Sequence, residues 1–81
     1  MKLNQVIKNM EAAGAKVTSK SERMYVAEFS GANVEFINDE GDVDNLYVIG
    51  KKSRDDIQSD YFPGTFARNT KHAIELAKAH E

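Results

Sequence analysis

The spacing of the apolar residues changes twice along this chain of 81 residues, and this change strongly limits the folds open to it. Four apolar residues near the start recur at the three- and four-residue intervals of one helix face: Leu3, Val6, Ile7 and Met10. Alternating spacing replaces the helical spacing in Ala32–Asn38, where Val34 and Phe36 share one side of a strand. Helical spacing returns near the other end. The sequence therefore predicts a helix at each end, with strands between them.

Four segments between the helices are predicted to pair as an antiparallel meander: Lys16–Lys20, Arg23–Ser30, Ala32–Asn38 and Leu46–Gly50. Gly14 is predicted to end the first helix in a left-handed cap, and Gly31 to supply the positive φ of a tight turn. Because each helix has one apolar stripe, both should cover the same sheet face. The predicted fold is α+β: a three- to four-stranded antiparallel meander between an N-terminal and a C-terminal helix, forming one domain over residues 1–81.

The last helix is predicted to begin between Thr65 and Thr70, with either Asn69 or Thr65 as its N-cap. Its inner stripe is expected to comprise Phe66, Thr70, Ala73, Ile74 and Ala77. Pro63-Gly64 lies just before this helix and should reverse the chain, with Gly64 allowing a turn that strains other residues. The aromatic rings beside this reversal, Tyr61, Phe62 and Phe66, are open to two interpretations, a core plug or an interface. A small domain can hardly leave all of them exposed, and Phe66 is the ring expected to enter the core.

Composition narrows the classes of function. The chain has 41% hydrophobic and 30% charged residues and a net charge of −2, which is typical of a globular domain without a strong attraction to nucleic acid. It has no cysteine, which excludes disulfides and thiolate metal sites and fits a reducing compartment. No apolar run approaches the roughly 20 residues that span a bilayer. We therefore expect a cytoplasmic protein that does not enter a membrane.

Candidate catalytic and metal-binding residues are few. The chain has no cysteine nucleophile and no G-x-S-x-G motif, and its histidines, His72 and His80, both fall in the last predicted helix. His72 and Glu75 have a spacing that can hold a metal, but two ligands leave such a site half built. The acidic loop Asp39–Asn45 fails the spacing of a calcium loop, since Phe36 falls where the first aspartate is required. The sequence predicts no enzyme, metal or cofactor.

The irregular segment before the last helix is the predicted contact surface, because long segments without a regular period are often functional. Its candidate partner-binding residues are Lys51, Lys52, Arg54, Asp55, Asp56, Asp60 and Tyr61. The sheet face away from the helices is a second candidate, and the apolar side chains considered for it are Tyr25, Phe29, Ile37 and Tyr47. The sequence favours binding of a host or partner protein, with a homodimer through that sheet face as an open alternative.

Nucleic-acid binding is the alternative function. Five cations near the last helix are candidates for a phosphate-binding groove: Lys51, Lys52, Arg54, Arg68 and Lys71. A helix N-terminus would add partial positive charge there. Asp55, Asp56 and Asp60 are interleaved with these cations and would repel phosphates or pair with the cations. A protein partner therefore remains the leading expectation.

Two resemblances bear on function. The segment D-Y-F-P-G-T-F, Asp60–Phe66, with the helix after it, resembles stretches in small accessory proteins of bacteriophages and mobile elements. That resemblance implies a host-directed helper or inhibitor that works by binding. The order helix, meander, helix resembles the double-stranded RNA-binding domain. The Gly-Pro-x-His loop of that family is missing here, and Lys71-His72 stands where the family has a lysine pair.

Overall fold

The computed structural model describes residues 1–51 and 64–80. Two helices, α1 and α2, span Leu3–Ala12 and Thr70–Lys78. The strands β1 to β5, in chain order, span Lys16–Ser19, Met24–Glu28, Ala32–Ile37, Leu46–Gly50 and Thr65–Ala67. Each of these strands pairs antiparallel with the next, in the order β1-β2-β3-β4-β5. The predicted α+β meander between two helices is confirmed, and β5 is a strand that the sequence did not predict.

Both helices cover the same face of the sheet, as expected from their apolar stripes. α1 packs against β1 and β2, α2 packs against β3, β4 and β5, and the two helices contact each other. With 10 and 9 residues, neither helix is long enough to be stable alone in water. Their buried residues, Val6 and Met10 on α1 and Ala73 and Ala77 on α2, join one core. Packing on the sheet therefore stabilises the helices.

Alternation along the strands divides the sheet into an inner face, which lies under the helices, and an outer face. On the inner face, Phe36 of β3 is opposite Tyr25 of β2 and Leu46 of β4. The Tyr25 and Phe36 rings stack with their centroids 5.8 Å apart. The neighbouring residues on β3, Glu35 and Ile37, lie on the outer face. The predicted division of β3 into two faces is confirmed, and the structure decides which of the two faces the core.

The start of the chain is fastened to the loop between β3 and β4. The Met1 ammonium donates to the Val43 carbonyl oxygen at 3.1 Å, and the Val43 N–H donates to the Met1 carbonyl oxygen at 2.7 Å. The Leu3 N–H has no acceptor within its own helix, as at every helix start. It donates to the Gly41 carbonyl oxygen at 2.9 Å. The loop backbone therefore caps the N-terminus of α1, a role that a side chain fills in many other helices.

The acidic loop contains a tight two-residue hairpin. The N–H groups of Asp39 and Asp42 donate to each other's carbonyl oxygens at 2.8 and 2.9 Å. Glu40 and Gly41 lie between them and have φ angles of 51° and 89°, as a type I′ turn requires. Asp42 also forms an ion pair with Lys2, 3.2 Å from Nζ to Oδ1. The acidic residues thus belong to a connection that ties β3 to the start of α1.

One glycine prediction is confirmed and another is wrong. Gly14 has a φ of 99° and ends α1 in the left-handed conformation expected of it. Gly31 is not among the glycines with positive φ. The Phe29 N–H closes the turn at Gly31 by donating to the Ala32 carbonyl oxygen at 2.8 Å. Turns with negative φ throughout also reverse a chain, so this position does not need the special freedom of glycine.

The prediction that Phe66 enters the core is wrong. Phe66 lies on β5, and α2 starts only after Asn69, whose side chain accepts a hydrogen bond from the His72 N–H at 2.8 Å. The pairing of Phe66 with Tyr47 of β4 turns its ring to the outer face, where it is 67% exposed. Its neighbour Ala67 takes the inner position and is fully buried. The helical spacing predicted from Phe66 onwards therefore included residues that form the three-residue strand β5.

Two phenylalanines on opposite faces of the sheet test this arrangement. Phe36→Ala removes a ring that is 2% exposed, so we expect the free energy of unfolding to fall by about 3 to 5 kcal/mol. Phe66→Ala removes an exposed ring and one aromatic contact, and should cost about 1 kcal/mol or less. Urea unfolding followed by circular dichroism measures both. Phe36→Leu replaces Phe36→Ala if the latter does not fold, and equal losses at the two positions would contradict the assigned faces.

Glu40→Asn should raise the free energy of unfolding by about 0.5 kcal/mol, because asparagine tolerates positive φ better than glutamate. Glu40→Gln removes the same charge without easing the backbone, so this control should leave stability unchanged. Urea unfolding of the three proteins side by side gives the comparison. Equal stabilisation by both substitutions would assign the effect to charge repulsion in the loop instead of turn geometry.

Candidate functional site

The outer face of the sheet carries a row of side chains that crosses all the described strands. Strand register places these residues in the row: Thr18, Val26, Glu35, Tyr47 and Phe66. Val26 is buried, and so is Ile49 two residues beyond Tyr47, whereas Ile37 is 46% and Phe66 67% exposed. The exposed apolar surface is therefore concentrated towards the end of the sheet where β2 and β4 begin and β3 ends.

The sequence had left open which apolar side chains face away from the helices. Phe29 is buried in the core, and Tyr25 packs against the core from the inner face. Ile37 and Tyr47 lie on the outer face, each one residue from an inner-face position. Two of the four candidates for an exposed sheet face are therefore placed there.

Tyr47 and Phe66 form the aromatic part of the outer face. They lie opposite each other on β4 and β5, with ring centroids 4.6 Å apart and ring planes inclined by 42°. The Tyr47 ring also lies against Gly64, where a Cβ atom would overlap the phenol group. This close approach gives Gly64 an importance that the sequence did not predict. The Tyr47 ring is thereby held from two sides. The turn predicted at Pro63-Gly64 stays a prediction, because Pro63 lies outside the described residues.

These aromatic rings line a groove of about 450 Å³ on the outer face. Apolar side chains from four adjacent strands contribute to it: Met24, Ile37, Tyr47 and Phe66. Polar side chains also line it: Arg23, Glu35, Asp39, Asp44 and Asn45. The volume falls within the range of roughly 300 to 1,000 Å³ that is common for ligand-binding clefts. The groove therefore combines an apolar floor with a polar rim.

The rim of the groove is acidic. Among the described residues that line it, three carry carboxylates (Glu35, Asp39 and Asp44) and Arg23 carries the one cationic group. The Arg23 Nη2 lies 3.9 Å from the Asp39 Oδ1, and both side chains are well exposed. Water screens such a pair, and its net contribution to stability is small. The groove thus presents negative charge beside apolar surface, which suits a ligand that joins a cation to an apolar group.

The predicted partner-binding segment falls mainly outside the described residues. Lys51 is described: it is half-buried, and its N–H donates to the Gly31 carbonyl oxygen at 3.0 Å. The other six candidates lie outside the described residues: Lys52, Arg54, Asp55, Asp56, Asp60 and Tyr61. Their role stays a prediction.

The described cations of the alternative nucleic-acid surface do not all meet at one place. Arg68 follows β5 and lies near the start of β4, because Ala67 pairs with Leu46. Lys51 follows the far end of β4. At roughly 3.3 Å per residue along the strand, about 20 Å separates Lys51 from Arg68. Arg68 and Lys71 are both exposed and stay close together at the start of α2.

The candidate metal ligands lie on the helical side of the molecule. His72 and Glu75 are exposed on α2, and the His80 ring lies against Gly50. Residues 1–51 and 64–80 contain no group of three or more histidine, cysteine, aspartate or glutamate side chains that could hold a metal. The exposure of His72 and Glu75 fits a solvated helix surface.

Only part of this groove was predicted from the sequence. Ile37 and Tyr47 were candidates for the exposed sheet face, and Asp39 and Asp44 were interpreted as a solvated loop. Phe66 was missed because Thr65–Ala67 is too short to show a strand periodicity of its own. The strand preference of threonine and phenylalanine after Pro63-Gly64 was the available indication.

No protein-family model, curated protein or solved structure gives a significant match to this chain. In the part of the chain that the structure describes, no helix has both the length and the apolar character needed to cross a membrane.

Gly64→Ala tests whether the groove depends on the approach of Gly64 to Tyr47. The added Cβ would overlap the ring, so we expect the free energy of unfolding to fall by about 1 to 3 kcal/mol. In a Tyr47→Ala background the same substitution should cost almost nothing, because the ring is gone. A double-mutant cycle by urea unfolding measures this coupling. Strictly additive losses would show that the two residues do not interact.

Proposed function

We propose that this protein is a non-enzymatic binding module that binds a partner protein in the groove on the outer face of its sheet. The observation that supports this most is the exposure of Phe66, whose ring is 67% accessible on a paired strand beside Tyr47 and Ile37. Removing apolar surface from water contributes a favourable free energy of roughly 25 cal/mol per Å². In the free protein the exposed Phe66 ring gains little of this free energy, and it would gain more on binding a partner. Apolar groups exposed side by side commonly mark interaction sites.

The composition of the groove supports a protein as its ligand. Aromatic rings, methionine and arginine are enriched in the centres of protein interfaces, and the groove contains Tyr47, Phe66, Met24 and Arg23. Tyr47 is already held by Phe66 and Gly64, so binding would cost little side-chain entropy at this position. A preformed aromatic anchor of this kind is typical of the residues that dominate binding energy.

The proposal keeps the function expected from the sequence and places its centre on the outer sheet face. The protein would act by occlusion, covering a surface of its partner without making or breaking bonds. The resemblance of Asp60–Phe66 to accessory proteins of bacteriophages and mobile elements supports a specific form, in which the partner is a host protein. Phe66 belongs both to that segment and to the groove.

Nucleic-acid binding has less support. The carboxylates of Glu35, Asp39 and Asp44 at the groove would repel a phosphate backbone. Arg68 and Lys51 lie at opposite ends of β4, so the described cations offer no continuous phosphate track. The outer face is therefore better suited to a protein.

Site-specific photocrosslinking tests the proposal. A photoreactive phenylalanine analogue replaces Phe66 in one variant and Lys8, an exposed residue of α1, in the control. Both variants are irradiated in the cells that produce the protein. We expect discrete protein adducts from position 66 and none of the same mass from position 8, because only position 66 lies in the groove.

The resistance of the adducts to nuclease and protease identifies what is bound. Adducts that protease removes and nuclease leaves intact support a protein partner. Adducts from position 66 that nuclease removes would instead establish nucleic-acid binding. Absence of adducts at position 66, or the same adducts from both positions, would refute a protein-binding groove on the outer face.

A further inference from the structure

We infer that the groove binds an extended basic segment of the partner, in which a lysine or arginine neighbours a large apolar side chain. This inference rests on the proposed function, since it specifies the chemistry of the partner at the same groove. The shape of the apolar floor, the charge of the rim and the electrostatics of self-association each support it.

The floor of the groove has the length of a short extended peptide. Its apolar side chains come from β2, β3, β4 and β5, so the floor crosses four adjacent strands. Three strand spacings of roughly 4.8 Å make a length of about 14 Å. An extended peptide advances roughly 3.4 Å per residue, so about four residues fit across the strands. Ile37 and Phe66 are the exposed positions against which an apolar side chain of the peptide would pack.

An acidic side chain lies where the basic residue of such a peptide would reach. Tyr47 is directly opposite Phe66 in the strand register. Asp44 lies just before β4 and also lines the groove. A cation above the two aromatic rings would gain both from the ring faces and from a charge-assisted hydrogen bond to the Asp44 carboxylate. Arg23, the described cation of the groove, lies beside Asp39, at the β2–β3 end of the floor.

A second copy of this protein is a poor match for the groove. A two-fold dimer through the outer face would use the same patch on both copies. Each copy would then bring three carboxylates and one guanidinium towards the same set on the other. Like charges brought together across an interface are costly, whereas a basic segment complements this rim. Charge therefore favours a cationic partner over self-association.

Titration with defined peptides tests the inference. The probes are two blocked hexapeptides, one alternating lysine with leucine and the other alternating glutamate with leucine. Amide resonances of the isotope-labelled protein report where each peptide binds. We expect the lysine–leucine peptide to shift the amides of Ile37, Tyr47 and Phe66, with an affinity that falls as salt is raised. The glutamate–leucine peptide has the same apolar content and should bind at least tenfold more weakly.

A matched pair of variants locates the charge effect. Asp44→Asn should weaken binding of the lysine–leucine peptide about fivefold, because it removes a carboxylate from the groove. Glu11→Gln makes the same change in net charge at an exposed position on α1 and should leave the affinity unchanged. Equal affinity for the two peptides, or equal loss in the two variants, would overturn the inference. Concentration-dependent shifts of the same amides without peptide would identify a second copy as the occupant and would also overturn it.

The experiments can refute the proposed function and the basic segment independently of each other. Protein adducts from position 66 combined with no preference for the basic peptide would leave the binding function standing and refute the basic segment. Without adducts at position 66, the proposed function itself is refuted, whatever the peptides do.

Discussion

Burial of one sheet face under two short helices is the constraint on which the rest of this structure depends. Phe36, Leu46 and Val48 on the sheet and Val6 and Met10 on α1 are almost completely removed from water. Neither helix would persist without this contact, and a sheet of short strands needs a covered face to be stable. Because side chains alternate along a strand, committing one set to the core commits the next set to the outer face. The position of every residue on the outer face follows from that choice.

The candidate site is a consequence of this alternation on β4 and β5. Leu46 and Val48 face the helices, so Tyr47 between them faces outward, and pairing with β5 brings Phe66 against it. Two of the three carboxylates of the acidic rim, Asp39 and Asp44, come from a different source, the connection between β3 and β4, where the tight Asp39–Asp42 hairpin is tied to the chain start by hydrogen bonds. The apolar floor of the groove therefore comes from the strands, and much of its charged rim comes from the connection between them. Neither requires a deep cavity, which suits a chain of this size.

Local patterns were sufficient to predict much of the architecture. The heptad-like spacing of α1, the glycine that ends it and the division of β3 into two faces depend on neighbours within one or two turns of the chain, and all were predicted correctly. Phe66 was assigned to the core because its spacing to Ala73 and Ala77 imitates a helix, whereas its actual environment is set by Tyr47, 19 residues earlier in the chain. The close approach of Gly64 to Tyr47 was not predicted for the same reason. Its importance depends on a ring from another strand, and no local pattern records that contact.

The order of the two helices and of strands β1 to β4, and the inner faces of the helices, could thus be predicted from the sequence, because periodicity expresses how each segment meets water or apolar neighbours. The fifth strand, the exposure of Phe66 and the assembly of the groove required the folded structure. They depend on the register between strands and on which loops meet at the end of a sheet. Those contacts join residues far apart in sequence, so their physical cause lies in the packing of the whole domain.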